Sequence, residues 1–225
     1  GFSFATPETY VRTVASFALG GVQIFFRQKA NGHLFMDPMP GPGYFQKYYD
    51  DTDFEGYLHD GTYLDREPGK RKSAQNILRF MEENRPDSDF SLKGIKVLEV
   101  GAGAGFLLDE GKRRYQWDAE GVEMVPEFAR NMEKLGIKVH QGLFEKLAFD
   151  RSGYDMVILK DVLEHTSNPE EILARVGQIV KPGGVVFIEI PLMDKYGVRF
   201  GLLEHVQGFT KQSIQDMLAA HGFSL

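Results

Sequence analysis

The chain has 225 residues, of which 42% are apolar and 26% are charged, and its formal net charge is −6. This composition is typical of a globular protein with enough apolar material for a core, and an acidic balance without a basic block argues against nucleic-acid binding. The absence of cysteine excludes disulfides, thiolate metal sites and a cysteine nucleophile, and no apolar run approaches the roughly 20 residues that span a membrane.

The first 65 residues differ in composition from the rest of the chain. They are rich in aromatic residues, glycine and proline, and residues 28–43 show no helical periodicity. We therefore predict an irregular segment there, followed by a short helix near residues 44–49. The beginning of the chain lacks a basic region and contains Glu8, so no signal peptide is predicted and a cytoplasmic location is expected. Residues 1–65 are assigned as an N-terminal extension or lid, and residues 66–225 as the main domain.

From residue 66 onward the pattern becomes regular. Helices are predicted at residues 73–84, 106–114, 126–136, 169–180 and 210–222, with Ser73 and Thr210 as N-caps. Short β-branched strands are predicted at residues 95–100, 118–124, 137–142, 154–160 and 183–190. This alternation predicts an α/β fold with a Rossmann-like, doubly wound, mostly parallel sheet that helices cover on both faces. Because the chain ends at GFSL, where another strand would begin, we expect C-terminal strands of the sheet to be missing from it.

The stretch VLEVGAGAGF, residues 97–106, is the most informative part of the sequence. Three alternating glycines directly follow a predicted buried strand, which is the usual cradle for a nucleotide in α/β folds. A phosphate-binding P-loop requires a later Gly-Lys-Ser or Gly-Lys-Thr, which does not follow here. A dinucleotide fingerprint requires a third glycine at the position of Phe106, and Glu99 would repel a pyrophosphate. A tight turn that binds no ligand is the structural alternative.

An acid inside the strand favours a positively charged ligand. S-adenosylmethionine carries a sulfonium and an ammonium group and no phosphate. Gly101 and Gly103 would let the backbone approach such a ligand closely, and Glu99 could orient its amino group. A second acid is then expected at the end of the next strand, where it would bind the ribose hydroxyls. Glu123 stands there, 18 residues after Gly105.

Several motifs, in order, resemble those of the class I S-adenosylmethionine-dependent methyltransferases. VLEVGAGAG resembles the first motif of that family, GVEM the acidic end of its second strand, YDMVILKDVLEHTSNPEEIL its fourth-strand motif and KPGGVVFIEIP its fifth. Residues 95–191 carry this resemblance. VLEH and the later EHVQGFT are similar to the branch that contains ubiquinone-type O-methyltransferases and deoxysugar C-methyltransferases. The resemblance implies methyl transfer from S-adenosyl-L-methionine to O or C of a small molecule, with S-adenosyl-L-homocysteine as product.

The resemblance also implies a set of cofactor-binding residues. The set comprises Glu99, Gly101, Gly103, Gly105, Glu123, Met124, Leu143, Phe144, Lys160, Val162 and Tyr49. Leu143 and Phe144 fall where the family flanks the adenine, but the usual Gly-Asp pair is replaced by Gly142 and Leu143. Core packing is the alternative for both apolar side chains. Tyr49 belongs to an aromatic cluster that is expected to fold over the pocket, with a hydroxyl toward the methionine carboxylate.

Two histidines are the predicted catalytic side chains, because imidazole titrates near neutral pH and suits proton removal from an acceptor. His205, paired with Glu204, is predicted to be the base. His165 is predicted to assist it, with a capping or supporting hydrogen bond as the alternative role. Together with Glu164 these residues could also hold a divalent cation, but the spacing does not demand a metal and none is predicted. The remaining histidines are expected to be structural or exposed: His33, His59, His140 and His221.

The stretch RQKANGHLFMDPMP resembles half of the zinc knuckle that precedes many sugar C-methyltransferases. Gln28 and Asn31 stand where that pattern has cysteines, so the thiolates of such a site are missing. The expected partner is a small-molecule acceptor, with no nucleic acid and no membrane, and a homodimer is one open option. Two other functions also stay open: a non-catalytic nucleoside-binding or scaffold protein of the same fold, and an NAD-type oxidoreductase.

Overall fold

The computed structural model describes residues 12–19, 22–37, 39–41, 67–86, 89–193 and 205–225, with the backbone alone for residues 12–27. Tyr49, His59, Glu204 and the predicted short helix near residues 44–49 lie outside these ranges. The chain divides into two compact units. One comprises residues 1–48, 161–174 and 190–225, and the other comprises residues 49–160 and 175–189. The predicted boundary between residues 65 and 66 stays a prediction.

Strands and helices follow one another along the described part of the chain. In chain order the strands are β1 (Arg12–Leu19), β2 (Val22–Gln28), β3 (Leu34–Asp37), β4 (Lys96–Val100), β5 (Asp118–Glu123), β6 (Lys138–Gln141), β7 (Tyr154–Lys160), β8 (Val180–Glu189) and β9 (Gln207–Gly208). The helices are α1 (Glu67–Glu83), α2 (Phe106–Tyr115), α3 (Pro126–Lys134), α4 (Pro169–Ile179) and α5 (Lys211–Ala220). Thr210 caps α5 as predicted, because its hydroxyl accepts the Ser213 N–H at 3.1 Å. Among the described residues, no helix has the length and apolar character of a membrane span.

Five of the described strands form one parallel sheet, in the order β6-β5-β4-β7-β8. The central strands β4 and β7 are apolar on both faces, since Val97, Leu98, Val157 and Leu159 are all fully buried. The chain adds β5 and then β6 on one side of β4, and β7 and then β8 on the other side. The carboxyl ends of these two strands therefore flank the topological switch point, where ligands bind in sheets of this kind. The predicted Rossmann-like, doubly wound sheet is confirmed.

Helix α1 begins earlier than the sequence pattern predicts. It starts at Glu67, and the predicted N-cap Ser73 is wrong because that residue lies inside the helix. The first turn contains Pro68, which suits a helix start because its missing N–H is not needed there. Arg71 fixes this turn through ion pairs of 2.6 Å to Glu67 and 2.6 Å to Asp109 of α2. A contact with a distant helix thus moves the start of α1, and local sequence does not reveal that contact.

A second, antiparallel sheet lies in the other unit, in the order β1-β2-β3-β9. Strand β3 pairs with β2 on one side and with β9 on the other. The prediction of an irregular segment over residues 28–43 is therefore wrong at residues 34–37. The four residues LFMD alternate between buried and half-buried positions, but such a short strand gives only a weak periodic signal between its glycine and proline neighbours.

The turn between β2 and β3 is the segment that resembles a zinc knuckle. The Lys29 N–H donates to the His33 carbonyl at 2.8 Å and closes the turn. The Thr210 hydroxyl donates to the Asn31 carbonyl at 2.8 Å, and the Asn31 side-chain amide donates to Asp216 at 3.0 Å. Hydrogen bonds to the start and the middle of α5 thus hold this turn, whereas a zinc knuckle would hold it with thiolates.

Glycines let the elements of the parallel-sheet unit pack closely. A Cβ atom at Gly111 of α2 would lie 2.0 Å from Cε3 of Trp117. The Trp117 ring is buried, and its N–H donates to the Leu92 carbonyl at 2.8 Å, so the ring has little freedom to move aside. A Cβ atom at Gly121 of β5 would lie 2.7 Å from the Met132 sulfur. Gly111 therefore has no room for a side chain, whereas a side chain at Gly121 would require the Met132 side chain to move.

We predict that Gly111→Ala destabilises the protein although alanine is the better helix former. Overpacking against the buried Trp117 ring costs up to about 3 kcal/mol, which is more than the roughly 1 kcal/mol that alanine gains inside a helix. Gly69→Ala in α1 is the matched control, because nothing lies within 4 Å of the added Cβ atom, and it is expected to keep or raise the free energy of unfolding. Urea unfolding measures both variants. A Gly111→Ala variant as stable as the wild type would contradict this packing.

Candidate functional site

The predicted glycine loop joins the carboxyl end of β4 to the start of α2. Its three glycines all adopt positive φ angles, 67° at Gly101, 55° at Gly103 and 81° at Gly105. Side chains other than glycine are strained in this region of backbone space. The alternating glycines are therefore required by the conformation of the loop, and the absent side chains leave its backbone bare at the switch point.

The N–H groups of this loop are largely used within the protein. The Ala102 N–H donates to the Val122 carbonyl at 3.0 Å, and the Gly105 N–H donates to the Ala102 carbonyl at 3.0 Å. The Gly103 N–H donates to a carboxylate oxygen of Glu123 at 2.8 Å. A phosphate-binding loop needs N–H groups that point at the anion. These three N–H groups are therefore not available to an anion.

Gly105 lacks a side chain for a second reason, which is close packing. A Cβ atom there would lie 2.4 Å from Cγ of Met132 and 3.1 Å from Cδ1 of Ile137. Its missing side chain thus lets the loop pack against α3, which is the role of a third glycine in strand–loop–helix units. Gly121 makes room for the same Met132 side chain. Sequence reasoning missed Gly121, although an isolated glycine inside a strand signals such a close approach.

Two predicted acids lie at the carboxyl ends of adjacent strands. Glu99 is the penultimate residue of β4 and is 4% exposed, and Glu123 ends β5 and is 7% exposed. The Glu123 carboxylate accepts the N–H groups of Gly103, Met124 and Val125, each at 2.8 Å. Burial raises the pKa of Glu123, and these three N–H groups counteract only part of that rise. A carboxylate offers about four acceptor positions, so about one stays available to a ligand hydroxyl.

Leu143 and Phe144, the predicted neighbours of the adenine, follow the exit of β6. Leu143 is half-buried, whereas Phe144 is 3% exposed and contacts the Phe149 ring with centroids 5.4 Å apart. The Arg175 guanidinium lies 5.4 Å from the Phe144 ring centre and donates to the Phe144 carbonyl at 3.2 Å. This burial favours core packing for Phe144 and leaves Leu143 as the more accessible of the two. The Gly142 N–H donates to the Glu123 carbonyl at 2.9 Å.

Lys160 and Val162 lie at and just beyond the carboxyl end of β7, and both are half-buried. The Lys160 ammonium group contacts the Glu189 carboxylate of β8 at 3.2 Å. The two residues are direct partners in the β7–β8 register. The sequence pattern places Lys160 at this edge but gives no sign of Glu189, because the pairing depends on the strand order.

The predicted histidines lie in the other unit, where two separate segments meet. His165 belongs to the 3-10 turn Leu163–His165, and its ring centroid is 4.7 Å from that of His205, at 76°. Nε2 of His165 is 3.8 Å from Oε1 of the buried Glu164. The Val206 N–H donates to the Glu164 carbonyl at 2.9 Å and joins the two segments. The structure thus brings His165 and His205 together, while Glu204 lies outside the described residues.

Gln207 holds the turn that follows His165. Its side-chain amide donates to the carbonyls of Thr166 at 3.1 Å and Ser167 at 3.3 Å. Its carbonyl oxygen accepts the Nε2–H of His33 at 2.9 Å, and His33 stacks on Phe209 with centroids 4.9 Å apart. Sequence reasoning treated His33 as structural and missed Gln207 altogether. A buried histidine and a glutamine 174 residues apart carry no local signal of their contact.

We predict that His33 stays neutral well below neutral pH. Burial and the charge of Lys29 lower its pKa to about 4, although the hydrogen bond to Gln207 acts in the opposite direction and raises it. Because the unfolded chain takes up this proton near pH 6.5, the stability that neutral His33 contributes is complete above that pH and is lost as the pH falls toward 4. An NMR titration, assigned with His33→Gln, measures the pKa. Titration near 6.5 would contradict the buried contact.

Comparisons with known proteins show the family of this chain. Residues 65–225 match a family described as a methyltransferase domain. The ubiquinone biosynthesis O-methyltransferase of Acinetobacter baylyi is 36% identical over 105 residues, and that of Azorhizobium caulinodans is 32% identical over 103 residues. Each alignment covers 43% of this chain, and they cover 43% and 40% of the relatives. The chain therefore spans less than half the length of these curated relatives.

Solved structures show the same fold. A chain of the Haloferax volcanii complex between the Trm112 methyltransferase activator and a methyltransferase superposes with a TM-score of 0.60 at 17% identity, covering 76% of each chain. A SAM-dependent methyltransferase of Thermotoga maritima gives 0.58 at 19% identity, covering 76% of this chain and 80% of that one. The [4+2]-cyclase SpnF gives 0.55 at 16% identity, covering 68% and 56%. With the family match over residues 65–225, this chain belongs to the methyltransferase-domain family.

Proposed function

We propose that this protein binds S-adenosylmethionine at the carboxyl ends of β4 and β5 and transfers a methyl group to a small-molecule acceptor. One observation carries the proposal: the Gly103 N–H donates to buried Glu123 at 2.8 Å, and buried Glu99 lies on the adjacent strand, two residues before the glycine loop. The loop therefore offers bare backbone and two carboxylates, which fit a cationic nucleoside and repel a pyrophosphate. Family membership and the names of the relatives point the same way.

The residues at this edge fit the parts of the cofactor. Glu99 would hold the ammonium group, Gly101 and Gly103 would let the backbone lie against the methionine part, and Glu123 would accept a ribose hydroxyl. Met124 and Leu143 are both half-buried and would flank the adenine. The other proposed contacts are Gly105, Lys160, Val162 and Tyr49, whereas the burial of Phe144 favours a supporting role beneath the adenine region. When bound, S-adenosylmethionine supplies a methyl group on a sulfonium, and S-adenosylhomocysteine is the product.

The proposed acceptor is a hydroxyl or an acidic carbon on a small molecule. The relatives are named O-methyltransferases, which favours the hydroxyl. His205, with Glu204, and His165 are the groups proposed to orient the acceptor and remove its proton, since imidazole works near neutral pH. The ring contact between His165 and His205 supports a shared role for the pair. A cytoplasmic location and a homodimer remain predictions.

Ligand binding separates the proposed function from one rival, and turnover separates it from the other. An NAD-type oxidoreductase needs loop N–H groups for its pyrophosphate, and three of those groups are engaged within the protein. A non-catalytic protein of the same fold would keep the loop and lose turnover. The cyclase among the structural neighbours shows that this fold hosts other reactions, so fold alone does not decide the matter.

We predict micromolar binding of S-adenosylhomocysteine and none of NADH in calorimetric titrations. Glu99→Gln is expected to weaken binding about 10- to 100-fold, because a hydrogen bond to a charged group contributes about 1.5–3 kcal/mol. Glu133→Gln, on the exposed side of α3, is the matched control and should bind like the wild type. Binding of NADH in place of S-adenosylhomocysteine would overturn the proposal. Turnover with candidate acceptors then separates an enzyme from a scaffold.

A further inference from the structure

We propose that Arg175 is a positioning residue for the base of the cofactor, because it fixes the turn after β6 in the placement that selects adenine over other purines. The inference rests on the proposed function, since the adenine is that of S-adenosylmethionine. Arg175 lies in the second half of α4, and it contacts the 3-10 turn Phe144–Lys146. Both belong to the unit of residues 49–160 and 175–189.

Three contacts join the Arg175 guanidinium to this turn. One Nη group donates to the Phe144 carbonyl at 3.2 Å and also to the Leu147 carbonyl. The guanidinium carbon lies over the Phe144 ring, 5.4 Å from its centre. The two carbonyls belong to the first residue of the turn and to the residue that directly follows it. Arg175 therefore holds both ends of the turn.

The surroundings of Arg175 are unfavourable for a charged side chain. Arg175 is half-buried, and within the described ranges it makes no ion pair with a carboxylate. Its Nε–H group is buried and has no hydrogen-bond partner among the same residues. A cation removed from water and a buried donor without a partner both lower stability. Departures of this kind from ordinary packing are typical of functional positions.

The segment that Arg175 holds is also fixed on the side of the proposed ribose site. The Gly142 N–H donates to the Glu123 carbonyl at 2.9 Å, and the Glu123 carboxylate is the proposed partner of the ribose. Leu143 lies in the chain between this anchor and the anchor at Arg175. The two anchors together set where the backbone of Leu143 and Phe144 stands relative to the ribose. A shift of the turn would therefore move this backbone away from the base.

The groups placed in this way are the backbone N–H groups of Leu143 and Phe144. Neither has a hydrogen-bond partner among the described residues, and both side chains are apolar, so the backbone must recognise the polar edge of the base here. Ring nitrogen N1 of adenine accepts an N–H, whereas N1 of hypoxanthine carries a hydrogen and cannot. A site built to donate a hydrogen bond rejects the analogue that leaves the donor unpaired. Because hydrogen bonds weaken steeply with misalignment, this selection depends on Arg175.

Calorimetric titrations of the full chain with S-adenosylhomocysteine and S-inosylhomocysteine test the role of Arg175. The second ligand has hypoxanthine in place of adenine and is otherwise identical. We expect the wild type to bind S-adenosylhomocysteine at least about 100-fold more tightly. Arg175→Met removes both carbonyl contacts, and the ratio of the two affinities should fall about 10-fold. Arg175→Lys keeps a cationic donor and should restore part of the ratio.

Arg151→Met is the matched control, because Arg151 is exposed and lies in the same unit, and it should keep the wild-type ratio. Thermal unfolding shows whether each variant is folded. If Arg175→Met does not fold, the neutral Arg175→Gln takes its place with the same expectation.

The ratio separates positioning from a purely structural role, since an arginine that only stabilises the fold would lower both affinities equally. An unchanged ratio in the folded variant would overturn the role of Arg175 and leave the proposed function standing. Binding of neither ligand by the folded wild type would overturn the proposed function, and the role of Arg175 with it.

Discussion

The hydrogen bond between the Gly103 N–H and the Glu123 carboxylate is the contact on which the candidate cofactor site depends. The same carboxylate accepts the N–H groups of the two residues that follow it. The Glu123 carbonyl accepts the Gly142 N–H at 2.9 Å. One residue at the end of β5 thus fixes the glycine loop, the start of α3 and the exit of β6. Three loops at one edge of the sheet become a single surface because of it.

The electrostatics of this edge decide which ligand class fits. Glu99 and Glu123 are both almost fully buried, and a buried carboxylate is costly unless hydrogen bonds or positive charge compensate it. Backbone N–H groups compensate Glu123 in part and are thereby withdrawn from any anion. A buried polar side chain has a similar effect in the unit that carries the histidine pair. There the Gln207 amide donates hydrogen bonds to two carbonyls of the neighbouring turn. In both units a buried polar side chain positions a loop that belongs to the proposed site.

The sequence predicts the parallel sheet well because its strands are continuous apolar runs between glycines, and it predicts the glycine loop and both acids from their spacing. It misses β3 because four alternating residues are too few for a periodic signal, and it misplaces the start of α1 because Arg71 fixes that turn through Asp109. Side-chain partners are harder to predict. Gln207 with His33, and Arg175 with Phe144, meet only after distant segments have paired.

A crystal structure of the protein with S-adenosylhomocysteine tests the central claim most directly, because it shows where the ligand lies. The account predicts a ribose hydroxyl within hydrogen-bond distance of Glu123, the ammonium group beside Glu99 and the methionine part against Gly101 and Gly103. A ligand bound elsewhere, with both carboxylates untouched, would contradict the claim that this edge of the sheet is the cofactor site.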